Sequence, residues 1–190
     1  VVVIHGPDNF KTYEEYLAFL KSFEIDSLDY FLKKGWKSTL QERLGEEYQV
    51  IQPQMPNKFN CRYEEWKIWF EKLLPLLNKE IILIGHSMGG MFLPKYLSEN
   101  RIEQKIKAIF FVAAVYEDQV DFMLPSSLNL LAEQAEQIIL YHSKDDKQVP
   151  FADLEKYKKA LPKAEVKIFE DRGHFNQAEF PELVADIASV

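Results

Sequence analysis

Cysteine is almost absent from this chain: Cys61 is the only one in 190 residues. No intramolecular disulfide can form, and such usage fits a reducing compartment, so a cytoplasmic location is expected. Long apolar runs are also missing. The longest covers residues 108–115, far short of the ~18 residues that cross a bilayer. The opening residues 1–4 carry no basic flank and read as a strand, not a signal peptide. Positive charge is in deficit, with 23 Lys+Arg against 30 Asp+Glu and a net charge of −7. That balance argues against nucleic acid or an anionic membrane as partner. There is no internal repeat, low-complexity tract or linker-like stretch. The length predicts one domain over residues 1–190. A chain of this size buries about 70% of its unfolded surface and needs neither disulfide nor metal to fold.

What is present is an alternation of two patterns. Six short apolar runs, at residues 1–4, 48–52, 81–84, 107–113, 137–141 and 164–169, read as strands. Several are apolar at consecutive positions, as in strands buried on both faces of a parallel sheet. Helical spacing lies between them. Thr12-Tyr13-Glu14-Glu15 fits a capping box and precedes Tyr16, Leu17, Leu20 and Phe23. Later patterns start at Trp36 and Tyr63 and cover residues 88–99, 152–160 and 180–188. Strands alternating with helices predict an α/β, three-layer, doubly wound sheet of about six parallel strands. Ligands of such sheets bind beyond the carboxyl ends of the strands.

Several chemistries lack their signatures. No G-x-x-x-x-G-K-[ST], G-x-G-x-x-G or His-Glu-x-x-His occurs, and one cysteine cannot build a thiolate zinc site. No metal or organic cofactor is expected. One motif does stand out. The strand at 81–84 runs into Gly85-His86-Ser87-Met88-Gly89-Gly90 and then into a helix, the context that a G-x-S-x-G nucleophile elbow requires. A chain with this glycine and serine content would hold about 0.01 such matches by chance. The alternative is a glycine-rich loop that merely packs helix on strand.

A serine needs a base, and the base needs an orienting carboxylate. His174, in Gly173-His174-Phe175, is the only histidine after the last strand. The acid belongs after the penultimate strand, where Asp145 and Asp146 compete. Asp146 is preferred, because Asp-x-x-Val-Pro places it just before the turn into the next helix. Asp145 remains the alternative, as a turn-capping residue. His86 should point away from Ser87, and His142 reads as a packing residue. Met88, Met91, Phe122, Met123, Leu124 and Phe175 are candidates for an apolar acyl pocket, each also explicable as core. Residues 116–135 are too short for a bulky cap.

These segments resemble the α/β-hydrolase superfamily, and within it the small, cap-poor serine hydrolases related to the retinoblastoma-binding serine hydrolase. The resemblance rests on His5-Gly6, Met55-Pro56-Asn57, Trp66, the elbow, Ser143-Lys144-Asp145-Asp146-Lys147-Gln148-Val149-Pro150 and Gly173-His174-Phe175. It implies strand order 2-1-3-4-5-6, Ser87 as nucleophile, His174 as base, Asp146 as acid and Met88 N–H as an oxyanion donor. His5 and Phe175 are expected to touch substrate. The expected activity is hydrolysis of small carboxylic esters or thioesters through an acyl-enzyme.

Two departures stand out. The residue after His-Gly is Pro7, which has no N–H to offer an oxyanion; Asp8 is expected to supply the second donor, with Asn9 or an incomplete hole as the alternatives. Trp36 arrives about 20 residues late, which implies a helical insertion at residues 10–35; it either partly covers the site and narrows substrate choice or is a surface embellishment. These departures feed the rival expectation, a protein-binding module on a hydrolase scaffold with weak or absent catalysis.

Overall fold

The computed structural model describes residues 1–32, 34–117 and 120–190. Three positions of expected segments, 33 in the insertion and 118–119 in the stretch 116–135, lie outside the described residues. The strands are β1 (Val2–Ile4), β2 (Glu80–His86), β3 (Lys105–Val112), β4 (Ala135–Ser143) and β5 (Glu165–Phe169). All pair in parallel, in the order β1-β2-β3-β4-β5. The helices are α1 (Tyr13–Ser22), α2 (Asp29–Leu32), α3 (Trp36–Leu44), α4 (Tyr63–Leu73), α5 (Gly89–Glu99), α6 (Asn129–Gln134), α7 (Phe151–Ala160) and α8 (Pro181–Ala188).

The sheet has five strands where six were expected. Residues 48–52 do lie beside β1, at the edge the expected order assigns them, but only the Val2–Ile51 bridge forms. Val1 N donates to Gln49 O, Ile51 N to Val1 O, and Val3 N to Ile51 O. The next rung would need an N–H at Pro53, which proline lacks, and the ladder ends there.

Side chains that alternate along the strands feed two cores. Ile81, Leu83, Ile109, Phe111 and Leu140 pack with α4, α5, α6 and α7 through Trp66, Phe70, Phe92, Leu131 and Tyr157. Ile82, Ile84, Phe110, Val112 and Tyr141 pack with α3 and α8 through Trp36, Leu40, Leu183 and Ile187. Burial on both faces explains why these strands read as continuous apolar runs.

Pro94 stands inside α5, which continues through it. A proline there leaves the carbonyl four residues back without its helical donor. That carbonyl, Gly90 O, lies 3.0 Å from the Tyr157 hydroxyl, whose single proton is shared with Val115 O at 2.8 Å.

Residues 10–35, the expected insertion, contain α1 and α2, and neither helix buries a residue. Thr12 caps α1 as its sequence implies: Glu15 N donates to Thr12 Oγ1 (3.1 Å) and Thr12 N to Glu15 Oε2 (3.3 Å). Phe10, Phe19, Phe23, Tyr30 and Phe31 form a run of ring contacts within the insertion. No helix among the described residues is long and apolar enough to cross a membrane.

Candidate active site

The site lies where β1, β2, β4 and β5 end. β2 delivers Gly85 and His86, the chain turns at Ser87, and α5 begins two residues later. Ser87 adopts φ 56°, a left-handed conformation that costs a side-chain-bearing residue energy and collects at functional sites. Hydrogen bonds over-determine it: Ser87 N donates to Val112 O (3.0 Å), and Ser87 O accepts from Gly90 N (2.9 Å). The turn also needs close approach of backbone. A Cβ on Gly89 would fall 2.3 Å from Ile4 O, and one on Gly6 would fall 2.3 Å from Ser87 Cβ. The loop after β1 thus lies directly against the serine. Met88 is the N-cap of α5 with no side-chain cap, so the first amides of the helix are not consumed by a capping side chain.

The loops after β4 and β5 meet through the two aspartates, which do different work. Asp146 Oδ2 lies 2.8 Å from His174 Nδ1, and both side chains are shielded, 0% and 6% exposed. Gln148 N and Val149 N donate to Asp146 Oδ1 at 2.8 and 3.1 Å. Burial alone would raise this carboxyl. The His174 contact and the two amides outweigh it and hold the group below the usual carboxylate range. Asp145 is exposed and ties loops together, its Oδ1 accepting from Ser143 Oγ (2.5 Å) and Gly173 N (2.8 Å).

A family model described as serine hydrolase matches residues 32–182. The chain belongs to the serine hydrolase family. It is 27% identical to the serine hydrolase RBBP9 of Rattus norvegicus over 166 residues, 82% of this chain and 86% of that one. Among solved structures it is similar to the ydeN gene product of B. subtilis, with TM-score 0.78 and 20% identity over 99% and 96% of the two chains. The esterase EaEST of Exiguobacterium antarcticum shares the fold at TM-score 0.58 and 14% identity, over 99% of this chain and 90% of that one. The family and these neighbours identify a hydrolase of the α/β-hydrolase fold.

The other expected site residues fall in varied places. His5 follows β1, with Met55 N donating to its Nε2 at 3.3 Å and Trp66 edge-on at 5.4 Å. Burial, then the nearby Lys37 and Lys58, push its imidazole down to about 4. Asp8 lies in the loop past Pro7, its carbonyl accepting from Cys61 N (3.0 Å). Partial burial raises its carboxyl, and His174 nearby pulls the other way. Phe175 does not reach the mouth. Its backbone reverses (φ 53°), and its ring is fully buried 5.5 Å from Phe169 and 5.1 Å from Phe180. Met91 and Phe122 are likewise core, whereas Met123 is exposed. A cleft of about 700 Å³ lined by Asp171, Arg172, Gly173, His174, Asn176 and Gln177 borders the imidazole. Among the described residues, no group of three His, Cys, Asp or Glu side chains is placed to hold a metal.

Two residues that sequence reasoning did not place in the site hold its histidine loop. His86 Nε2 lies 2.8 Å from His174 O, the rings 4.7 Å apart. A carbonyl only accepts, so Nε2 of His86 carries the proton. Full burial, with Lys37 and His174 adding to it, holds His86 well below its ordinary pKa and therefore neutral. Trp36 Nε1 donates to Phe175 O at 2.8 Å. Consecutive carbonyls are thus gripped from beneath. The signal for Trp36 was its aromatic place at a helix start. Nothing in the sequence joins it to residue 175, which lies 139 positions away.

Proposed function

We propose that this serine hydrolase cleaves small carboxylic esters or thioesters through a Ser87–His174–Asp146 triad and an acyl-enzyme. The observation that carries the reading is the shielded Asp146–His174 contact on the same sheet rim as a serine in left-handed backbone. Asp146 accepts from Nδ1 of the imidazole, which leaves Nε2 unprotonated and able to accept a proton. His174 takes the Ser87 proton as Oγ attacks the acyl carbon. The negative oxygen that forms is met by Met88 N–H at the start of α5, with a second donor from the loop at Asp8. His174 protonates the leaving group, then activates the water that releases the acid. Asp146 keeps the tautomer and stabilises the imidazolium throughout.

The experiment is a p-nitrophenyl ester series from acetate to long chains, on wild type and Ser87→Ala, with fluorophosphonate labelling in parallel. Short chains are expected to turn over fastest, Ser87 to be labelled, and Ser87→Ala to lose measurable activity. Equal rates for the two proteins would remove the catalytic role. A protein-binding module without catalysis, the second reading, draws on exposed apolar side chains of the insertion such as Leu28, Phe31 and Leu32. It predicts no labelling of Ser87.

A further inference from the structure

In an ester hydrolase of this kind the departing alcohol leaves beside the imidazole. His174 has to pass it a proton from Nε2, because Nδ1 is committed to Asp146. The side chains around His174 therefore select the alcohol half of the substrate, not the acyl half. They form the cleft of about 700 Å³ in the loop between β5 and α8, a size that suits a small ligand (roughly 300–1,000 Å³).

The lining of this cleft departs from the usual one. Small-ligand sites are mostly apolar, yet Asp171, Arg172, Gly173, His174, Asn176 and Gln177 bring no aliphatic or phenyl side chain. Phe175, in their midst, is turned into the core by its left-handed backbone. Three of the polar side chains have hydrogen-bonding capacity to spare. Gln177 is half-buried, and its Nε2 is enclosed with no partner, a state that buried donors seldom keep. Asn176 is exposed. Asp171 forms no ion pair among the described residues, whereas Glu170 before it pairs with Lys144. Arg172 is spoken for, since Glu182 and the Phe169 ring hold its guanidinium.

The loop is fixed from three sides. Arg172 N donates to Ser143 Oγ (2.9 Å), Gly173 N to Asp145 Oδ1 (2.8 Å) and Trp36 N to Gln177 O (3.0 Å). Held in this way, it presents its polar groups with little ordering left to do on binding. Polarity and charge then narrow the occupant. Asp171 and Arg172 oppose each other in sign, so the cleft favours neither an anion nor a cation. An alkyl chain would strip water from Asp171, Asn176 and Gln177 and return no hydrogen bond. A hydroxyl both donates and accepts, so neighbouring hydroxyls answer the carboxylate and the two amides together.

We propose that this cleft binds the alcohol half of the ester and that this half is a neutral polyhydroxy compound, with the Gln177 amide donating to one of its hydroxyls. The inference rests on the ester-hydrolase reading for the bond that is cleaved, but binding of the polyol does not require turnover. Two measurements separate them. The first compares kcat/KM for monobutyrin (the glycerol ester), propyl butyrate and butyrylcholine, which share one acyl group. The second is an NMR titration of the amides of residues 171–177 with the butyl ether of glycerol, which cannot be hydrolysed, and with butyl propyl ether, the same skeleton without hydroxyls. Wild type is expected to favour monobutyrin over propyl butyrate about tenfold and to bind the glycerol ether over its control, as befits hydrogen bonds made in an enclosed position. Gln177→Met keeps the side-chain length and loses the N–H. It should remove most of the ester preference, through KM, and weaken the glycerol ether. Equal kcat/KM for monobutyrin and propyl butyrate, or a preference for butyrylcholine over both, would overturn the proposal and leave the hydrolase standing. A preference unmoved by Gln177→Met would overturn the role of that residue. If the variant does not fold, the wild-type comparisons decide alone. Binding of the glycerol ether over its control, with no ester turned over and Ser87 unlabelled, would defeat the hydrolase reading and uphold the polyol cleft. Equal shifts from the two ethers would overturn the cleft.

Discussion

Asp145 and Asp146 are neighbours with opposite tasks. Asp146 aims one oxygen at His174 and spends the other on the amides of Gln148 and Val149. Those amides account for the Asp-x-x-Val-Pro spacing, because the acid is fixed by the turn that follows it. Asp145 instead staples Gly173 to Ser143. Asp146→Asn should therefore lower kcat by roughly 10³–10⁴, as loss of the orienting carboxylate does in such triads, while Asp145→Asn loosens the loop and costs far less. Steady-state kinetics on both variants decides it, and the reverse order would exchange their roles. The sequence names Ser87, His174 and a preferred acid, and the structure brings that acid, Asp146, to His174. The inward turn of Phe175 was not legible. It depends on a single left-handed backbone angle, which residue type does not announce.

At the scale of elements, short apolar runs, several of them continuous, marked every strand of the sheet, and the capping box marked α1. The sixth run did not become a strand because one missing N–H, at Pro53, stops a ladder whose first rungs form. The insertion was legible as helical, from Thr12–Glu15 and the spacing after it. That it buries none of its helical residues was not, because aromatic content at helical spacing reads as a core face. Here those rings meet one another instead. The insertion leaves the domain just past Pro7 and Asp8 and returns at Trp36, both beside the candidate site. If it governs access, protease nicking between α1 and α2 should change turnover of small esters. Unchanged rates in the nicked protein would make it an embellishment.

Across the whole molecule, three histidines, His86 and His142 buried and His5 half-buried, are held neutral. His5 is pushed down to about 4, and His86 and His142 are also lowered, in each case chiefly by burial. The unfolded chain takes up protons on these rings that the folded one refuses, so stability rises with pH from about 4 to 6.5 and is lost as pH falls through that window. His5 alone accounts for about 2–3 kcal/mol. Asp146 adds its own loss at the acid end and below this window, because its lowered carboxyl stays ionised in the folded chain while the unfolded one takes up a proton. The melting temperature should drop on acidification from pH 7 to 4. His5→Gln, which keeps an acceptor for Met55 N–H without titrating, should flatten the drop. A melting temperature independent of pH over this range would contradict the assignment.

The grip of His86 and Trp36 on carbonyls 174 and 175 has a mechanical corollary. His174, the proposed base, is fastened to the residue immediately before Ser87, the proposed nucleophile, so a thermal excursion at the tip of β2 carries both residues along together. Breathing of the outer loops then reaches the two residues as a common translation.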